Sequence, residues 1–281
     1  MIVWANTSSA DVLPVVANLP EPGRFYHGVA SDGADIFIFG GTNGNTYPGG
    51  RTDIIRYDPA TNTVESLSDT LPYDLDAAPA VFANGKYYLF GGFSTTSSAG
   101  FVACNGSTGV CAGDRDDILR YDPQSNAVDV VAHLPVGRHG ASAVWTGEYV
   151  FIFGGVGFTD IIRFDPSNND VSLMGAQLPR CLGHTSVVWD GAEAFVFGGY
   201  VGGCETGGGS TQILRYDPVS DTVTVAAAAF PYENAATSAI WDGTFAYIFG
   251  DDTETVWRYD PNEAPPQTDE MYRGSGASRL K

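Results

Sequence analysis

The chain has 281 residues and a net charge of −19, from 33 acidic and 14 basic side chains. A surface this acidic repels phosphate groups, so we expect neither nucleic-acid binding nor binding to an anionic membrane surface. No apolar run approaches the roughly eighteen residues of a membrane span, and no basic and apolar leader follows Met1. The scarcity of lysine fits either a high-salt habitat or an extracellular β-protein with aspartates in its turns.

The N-terminal residues already carry a strand pattern. The segment Ile2–Pro20 aligns without a gap on Ile54–Pro72. Residues 2–18 are therefore predicted to hold two strands of the kind that recurs later in the chain.

A repeated unit follows. An apolar run ends in a glycine pair, and an Arg-aromatic-Asp-Pro segment comes after it, with a period of about fifty residues. The glycine pairs are Gly40-Gly41, Gly91-Gly92, Gly154-Gly155 and Gly198-Gly199, with Gly250-Asp251 as a degraded fifth copy. The predicted units are 27–70, 77–132, 139–176, 183–228 and 235–261, within one domain over 1–261. Residues 262–281 form a polar tail that is predicted to be disordered.

Each unit is predicted to contain four antiparallel strands, called a to d. In the first unit, strand a is Gly28–Ser31, and Asp-Gly then makes a two-residue hairpin turn. Strand b, Ala34–Phe39, is apolar on both faces, so it must lie between two layers. Strand c is Ile54–Tyr57, and an Asp-Pro turn leads to strand d, Val64–Leu67. Radial packing of such sheets into a propeller buries both faces.

The glycine pair, the aromatic-Asp-Pro, the closing Leu-Pro and the spacing resemble the kelch repeat over residues 2–261. The resemblance implies an all-β, kelch-type β-propeller. Such propellers more commonly have six or seven blades, but the five a–b hairpins of this chain predict five blades of four antiparallel strands. In such propellers the two chain ends share a blade. Val12–Val16 is therefore expected as the fourth strand of the blade formed by Thr237–Tyr259. The spare segment Ile2–Asn6 is either a lead-in or an element exchanged in a homo-oligomer.

Comparison between the units separates architecture from function. The arginine before each aromatic-Asp-Pro recurs in all five units, so it is predicted to be structural and to bridge to nearby carboxylates. Trp145, Trp189 and Trp241 recur at one position and are predicted to pack between blades. The b–c and d–a loops vary, and alternating strand direction places both sets on one face of the disc. That face is the candidate binding face.

A binding site is predicted where this face meets the central channel. Arg24, Asp76, Arg138, Leu182 and Asn234 each lie nine positions before the turn glycine and are expected to form a ring. The full set of candidate binding residues is Arg24, His27, Asp76, Arg138, His139, His184, Glu233 and Asn234. The three histidines occupy different registers, so no metal site is predicted.

The cysteines point to the compartment. Cys104 and Cys111 lie in one long loop, whereas Cys181 and Cys204 lie in two loops of the same face. Disulfides Cys104–Cys111 and Cys181–Cys204 are favoured over the two other pairings, and they imply an extracellular or cell-surface protein. Asn6 and Asn105 begin possible glycosylation sequons.

No nucleophile elbow, phosphate loop or His-Glu-x-x-His occurs in the sequence, so no catalytic residue and no cofactor is predicted. Similar kelch propellers include copper radical oxidases, sialic-acid epimerases and iron-dependent specifier proteins, but their metal-ligand sets are not matched here. The leading hypothesis is a secreted binding or assembly module that recognises a protein or a glycan. The alternatives are a sugar-processing enzyme with its site at the channel mouth, using Arg24, Arg138 and the histidines, and a structural subunit of an extracellular polymer.

Peptide mapping without reduction tests the predicted disulfides. We expect one linked peptide pair for Cys104–Cys111 and one for Cys181–Cys204. Free thiols at all four positions would contradict both the pairing and the extracellular assignment.

Overall fold

The computed structural model describes residues 17–20, 23–43, 50–96, 111–203, 207–250 and 255–263. Several predicted features lie outside these residues. They are the closing strand Val12–Val16, the segment Ile2–Asn6, the tail, Cys104, Cys204, Asn6 and Asn105.

The described chain forms five antiparallel sheets, and strands that follow one another in sequence are neighbours in each sheet. The first sheet contains β1 (Gly28–Ser31), β2 (Ile36–Phe39), β3 (Asp53–Asp58) and β4 (Thr63–Thr70). The second contains β5 (Ala80–Ala83), β6 (Lys86–Phe90), β7 (Asp117–Asp122) and β8 (Ala127–His133). The third contains β9 (Ser142–Trp145), β10 (Val150–Phe153), β11 (Asp160–Asp165) and β12 (Asp170–Gln177).

The remaining two sheets differ in size. The fourth contains β13 (Ser186–Trp189), β14 (Ala194–Phe197), β15 (Ser210–Asp217) and β16 (Thr222–Asn234). The fifth contains β17 (Thr237–Trp241), β18 (Ala246–Gly250) and β19 (Trp257–Tyr259), so three of its strands are described.

The innermost strands pack side by side in the order β1, β5, β9, β13 and β17. This arrangement is a five-bladed β-propeller, as predicted. Within the described ranges no helix is present, so these residues include no helix that could cross a membrane.

The hairpin between strands a and b differs from the prediction in four of the five sheets. Only Asn84-Gly85 is a two-residue turn, since Ala83 pairs directly with Lys86. In the first sheet Ser31 pairs with Ile36, which leaves the four-residue connection 32–35. The Asp32 carboxylate closes it by accepting the Ala34 and Asp35 amides at 2.9 and 2.7 Å. Short polar side chains at the start of a turn bond back to the backbone in this way.

Four hydrophobic clusters hold the blades together, and each lies between two successive sheets. Between the second and third sheets, fully buried Phe90, Ile152 and Phe164 share one cluster. Trp145, Trp189 and Trp241 pack against three of these clusters, as predicted. On the outer faces of the first and last sheets, by contrast, Val29, Ile240 and Phe249 are exposed.

The shared arginine changes its partner from blade to blade, which corrects the prediction that it always bridges to a carboxylate. Arg56 binds Asp35 at 2.8 Å, Arg120 binds Asp129 at 2.9 Å, and Arg215 binds Glu193 in a short contact. In the third and fifth blades an aromatic residue occupies the position of Asp35. Arg163 and Arg258 there lie over the rings of Tyr149 and Phe245, at 4.7 and 4.6 Å from the centroids. A cation over an aromatic face is a weaker equivalent of the ion pair.

Backbone hydrogen bonds join the d–a loops around the channel. The Ala77 amide donates to Tyr26, Gly140 to Ala77, His184 to Gly140 and Ala236 to His184, at 2.6 to 3.0 Å. All five residues of this relay have positive φ angles between 50° and 64°. The relay fixes the height and spacing of the loops that surround the channel mouth.

Truncating a residue between blades tests whether these clusters carry the stability. Phe164 is fully buried, and its ring lies 5.2 Å from that of Tyr88 and 5.5 Å from that of Phe90. We expect Phe164→Ala to lower the free energy of unfolding by about 3–5 kcal/mol, and Phe164→Leu by less. Urea unfolding followed by circular dichroism measures both. Val219→Ala, on the 93% exposed turn residue, is the matched control with no effect expected. Equal losses in Phe164→Ala and Val219→Ala would contradict the account.

Candidate functional site at the channel mouth

The two sets of variable loops meet on one face, as predicted. Isolated bridges join Phe25 to Thr42, Asp76 to Phe93, and Gly183 to Tyr200. Each bridge pairs a d–a loop with the b–c loop of the same blade. We call this the loop face, and the opposite side, with the a–b and c–d turns, the turn face.

The predicted ring is correct except at Asp76. The second glycine of each pair donates its amide to the d–a loop of the next blade, and the accepting carbonyls mark the equivalent positions. They belong to Leu75, Arg138, Leu182 and Asn234. Leu75, not Asp76, therefore occupies the ring position in the second blade. Counting from the turn glycine fails there because Ala83 and Lys86 pair and shift the turn, so Gly85 lies ten residues after the ring position instead of nine.

Arg24 and Arg138 are structural rather than exposed binding residues. Arg138 is 1% exposed and bonds both oxygens of Asp160, at 2.6 and 2.9 Å, and the Gly154 carbonyl at 3.1 Å. Arg24 makes the same set of contacts to Asp53 and the Gly40 carbonyl. Burial raises the pKa of the Asp53 carboxyl group, but the hydrogen bonds and charges of Arg51 and Arg24 outweigh it and lower that pKa to about 2. Each arginine thus links the d–a loop that leads into a blade to the third strand of that blade. The charge of the arginine is paired with the aspartate of that strand.

The position after the ring differs in every blade, and in three blades it holds the residue of a loop-to-loop bridge. Its occupants are Phe25, Asp76, His139, Gly183 and Ala235. This position, next to the relay around the channel, is where the blades differ in chemistry.

His139 is positioned by a buried carboxylate that the sequence analysis missed. Its Nδ1 donates to Oδ1 of Asp114 at 2.6 Å, and the Asp114 side chain is 1% exposed. Asp114 also accepts the Cys111 amide at 2.8 Å, and Cys111 is disulfide-bonded. A buried carboxylate of this kind fixes the orientation of an imidazole.

Aromatic rings extend from His139 around the mouth. The ring centroids of Phe93 and His139 are 5.8 Å apart, those of His139 and His184 are 6.2 Å apart, and those of His184 and Tyr26 are 5.7 Å apart. Burial, together with the charge of His139, lowers the pKa of His184. The third predicted histidine, His27, makes no ring contact with the described residues of this arc. Burial and the Arg24 charge lower its pKa, and its Nδ1 is buried without a hydrogen bond.

Asp76 carries the least satisfied charge at the mouth. Among the described residues no hydrogen-bond donor or cation is paired with its carboxylate. Burial raises the pKa of Asp76 to about 6, the neighbouring His139 charge lowers it, and Asp74 adds to the increase. The contrast with Asp74 is informative. Although burial also disfavours the charged form of Asp74, hydrogen bonds from Thr95, Thr96 and Ser94 keep its pKa at about 2.

The last two predicted residues lie at the fourth blade. Glu233 accepts the Gly209 amide at 2.9 Å, which anchors the b–c loop of that blade. Asn234 is 1% exposed, and neither of its side-chain polar atoms has a partner. The structure thus places Asp76, His139 and His184 together, and it places Arg24, Arg138 and Asn234 in the walls between blades.

Two groups of side chains have metal-ligand atoms close together, but neither supports a metal centre. In the group Cys111, Asp114 and His139, the sulfur belongs to a disulfide and is not a thiolate ligand. In the group Asp116, Asp117 and His133, the imidazole lies 3.3 Å from Asp117 and 3.6 Å from Asp116. Tyr73 and Arg115 also contact Asp117, so these contacts are those of a surface ion-pair network.

Cys181 is also disulfide-bonded. Because Cys104 and Cys204 lie outside the described residues, the pairing stays a prediction.

Two sizeable cavities lie on the turn face. One, of about 610 Å³, is lined by Asp35, Arg56 and Tyr121, between the first two blades. The other, of about 630 Å³, is lined by Tyr149, Arg163 and Trp189, between the third and fourth. Both contain the recurring arginine and other repeated positions, so they are gaps of the propeller architecture.

The loop face carries exposed aromatic residues that the sequence analysis did not single out. Phe25 is 61% exposed, Tyr26 58%, Tyr232 42% and Tyr200 41%. All four belong to d–a or b–c segments. A signal was present in the sequence, because in every blade the ring position lies sixteen residues before the first glycine of the pair. Counting from there places Phe25 and Tyr26 at the mouth.

Comparisons with known proteins agree with this architecture. A kelch-motif model matches residues 23–70. A "Kelch domain-containing protein SSO1033" of Saccharolobus solfataricus is 26% identical, over 51% of this chain and 17% of that protein. A "Kelch domain-containing protein" of Archaeoglobus fulgidus is 28% identical, over 53% of each chain. The chain therefore spans about half of one relative and less than a fifth of the other.

The solved structure titled "Structure of YjhT" superposes with a TM-score of 0.63 at 18% identity, over 83% of this chain and 74% of that one. At this identity the likeness concerns the fold. The fold is a β-propeller. Residues 23–70 match the kelch motif and the two relatives are kelch domain-containing proteins, so the chain is similar to kelch-repeat proteins, in agreement with the predicted resemblance.

The unpaired carboxylate at the mouth gives a testable pH dependence. The pKa of Asp76 is raised in the folded state to about 6, from 3.8 for an ordinary aspartate. Ionised Asp76 therefore destabilises the fold above pH 6, and this cost disappears as the pH falls toward 4. We expect Asp76→Asn to be more stable than the natural protein at pH 8 by about 1–3 kcal/mol, and the difference to shrink below pH 4.

Urea unfolding at pH 4, 6 and 8 measures this difference. Asp116→Asn, at an exposed position of the same face, is the control and should change stability little at any of these pH values. An Asp76→Asn protein that is less stable than the natural one at pH 8 would contradict the assignment.

Proposed function

We propose that this kelch propeller is a protein-binding module that holds its partner on the loop face, over the channel mouth. The observation that carries the proposal is the group of exposed aromatic residues Phe25, Tyr26, Tyr200 and Tyr232 on that face. Aromatic residues are enriched at the centres of protein interfaces, where a few of them supply most of the binding energy. Tyr26 belongs to the backbone relay, Phe25 and Tyr200 are held by loop-to-loop bridges, and Tyr232 lies in β16, so little ordering cost is added on binding.

The two other hypotheses have less support. The enzyme alternative relied on Arg24 and Arg138 as ligands for an acidic sugar, but both guanidinium groups are buried and paired with aspartates. The polymer-subunit alternative relied on the chain ends, which lie outside the described residues. A glycan ligand remains compatible with exposed aromatic rings, and the experiment below separates it from a protein.

We also propose an extracellular or cell-surface location. The disulfide bonds of Cys111 and Cys181 support it, because disulfides persist in oxidising compartments. The Cys111 loop holds Asp114 and thereby His139, so an oxidising environment would also preserve the channel mouth.

The binding function is tested by using the full-length protein to capture partner proteins from an extract of its native source, with cross-linking, and by measuring the amount captured. The full-length protein is compared with Phe25→Ser/Tyr26→Ser and with Val219→Ser, which removes an exposed apolar side chain from the turn face. We expect capture of the partner to fall by about tenfold or more in the double variant, the loss typical of central interface residues. Val219→Ser should retain capture, and all three proteins should melt at closely similar temperatures because the altered residues are exposed.

Two outcomes would contradict the proposal. The first is undiminished capture of the same proteins by the double variant. The second is capture that is abolished when glycans are enzymatically removed from the source material, which would favour a glycan ligand.

A further inference from the structure

Asp76 is the starting point, because it combines burial, charge and the absence of a partner. The other carboxylates around it are committed. Asp74 accepts hydrogen bonds from Ser94, Thr95 and Thr96, and Asp114 accepts from His139 and the Cys111 amide. In the part of the chain that the structure describes, no donor is paired with the Asp76 side chain. A partly buried carboxylate without a partner costs free energy, and such groups occur where a ligand supplies the missing interaction.

The fold places the backbone of Asp76 beside residues with aromatic rings. The backbone of Asp76 pairs with Phe93, and the next residue, Ala77, donates its amide to Tyr26 and accepts the amide of Gly140, the neighbour of His139. The backbone of Asp76 therefore lies next to the residues that carry the arc of rings described above, and the charge of His139 acts on the Asp76 carboxyl group. An anion flanked by aromatic faces is suited to a cation, because the ring faces and the carboxylate attract the same charge.

Over the described ranges, no cation forms an ion pair with the Asp76 carboxylate. Arg24 and Arg138 are held by Asp53 and Asp160 through two-pronged contacts, and Arg51, whose carbonyl accepts the Leu75 amide, also bonds Asp53. Burial lowers the pKa of His184, which keeps that imidazole neutral near pH 7. His139, whose charge does act on Asp76, is hydrogen-bonded to Asp114. The net charge of −19 adds a long-range attraction for basic partners.

We propose that Asp76 binds a lysine or arginine side chain that the protein partner inserts into the channel mouth, with Tyr26 and Phe93 flanking its apolar stem. The inference rests on the proposed function and specifies its partner as a protein with a protruding basic residue. The carboxylate would provide a charge-assisted hydrogen bond, and the aromatic rings would contact the methylene groups. Specificity follows because a neutral side chain would leave the carboxylate unpaired.

Side-chain mimics provide the test without an identified partner. The full-length protein is titrated with n-butylguanidinium chloride and with its neutral isostere n-butylurea, at constant ionic strength and pH 7.5. The ring resonances of His139 and His184 report binding by NMR. We expect saturable shifts with n-butylguanidinium, and binding of n-butylurea weaker by about tenfold or more, which is the loss expected when the charge of one hydrogen-bond partner is removed. Asp76→Asn should lose the preference, and Asp116→Asn, with the same change of net charge, should keep it.

Three results would overturn the inference. These are equal binding of the two probes, an unchanged preference in Asp76→Asn, or equal losses in Asp76→Asn and Asp116→Asn, which would indicate diffuse attraction to an acidic surface.

The capture experiment separates this inference from the proposed function. If Phe25→Ser/Tyr26→Ser abolishes capture and Asp76→Asn retains it, the basic-residue inference fails and the binding function stands. If neither variant changes capture, the proposed function itself fails. Loss of capture in both variants, with Asp116→Asn unaffected, supports both.

Discussion

The central constraint on this protein is that the second strand of each sheet is apolar on both faces. Residues such as Phe151, Ile152 and Phe153 are buried on both sides, so no sheet of this chain is stable alone. Radial stacking resolves this, because each interface between blades buries one face of two sheets at once. The glycine pairs then allow the end of that strand to approach the next blade. A Cβ on Gly154, for example, would lie 2.5 Å from the Leu182 carbonyl oxygen. The relay of backbone bonds and the loop face depend on that close approach.

This division between fixed backbone and variable side chain explains what the sequence could predict. The strands, the blade count and the common face of the loops follow from apolar patterning and from the glycine pairs, which recur in every unit. The details of the mouth do not repeat. Asp76 was assigned to the wrong register because the tight turn Asn84-Gly85 places its glycine one position later in the hairpin than its counterparts. The carboxylate that orients His139 was missed because the equivalent bridge positions in the first and fourth blades are glycines, Gly50 and Gly209, so the repeat gives no signal for an acid there. Burial of Arg24 and Arg138 depends on Asp53 and Asp160, and no spacing rule connects these pairs.

The mouth also illustrates a trade between stability and function. Asp74 and Asp76 are two residues apart and both partly buried, yet hydrogen bonds lower the pKa of the first and burial raises that of the second. Folding alone would favour a neutral residue at position 76. Sites where a local rule is broken without compensation inside the protein are expected to be functional. Phe25 and Tyr26 are a second example of residues that do not serve the stability of the fold, because their apolar side chains are exposed to solvent.

The most direct test of this account is the titration of the Asp76 carboxyl group in the free protein, followed through its side-chain carbonyl resonance by NMR between pH 3 and 8. The account predicts a midpoint near pH 6, well above the ordinary value of 3.8 for aspartate, while the Asp74 carboxyl remains ionised to about pH 2. A midpoint of Asp76 at or below 4 would mean that its charge is already solvated or paired. The unpaired carboxylate at the channel mouth, and the recognition of a basic residue inferred from it, would then be wrong.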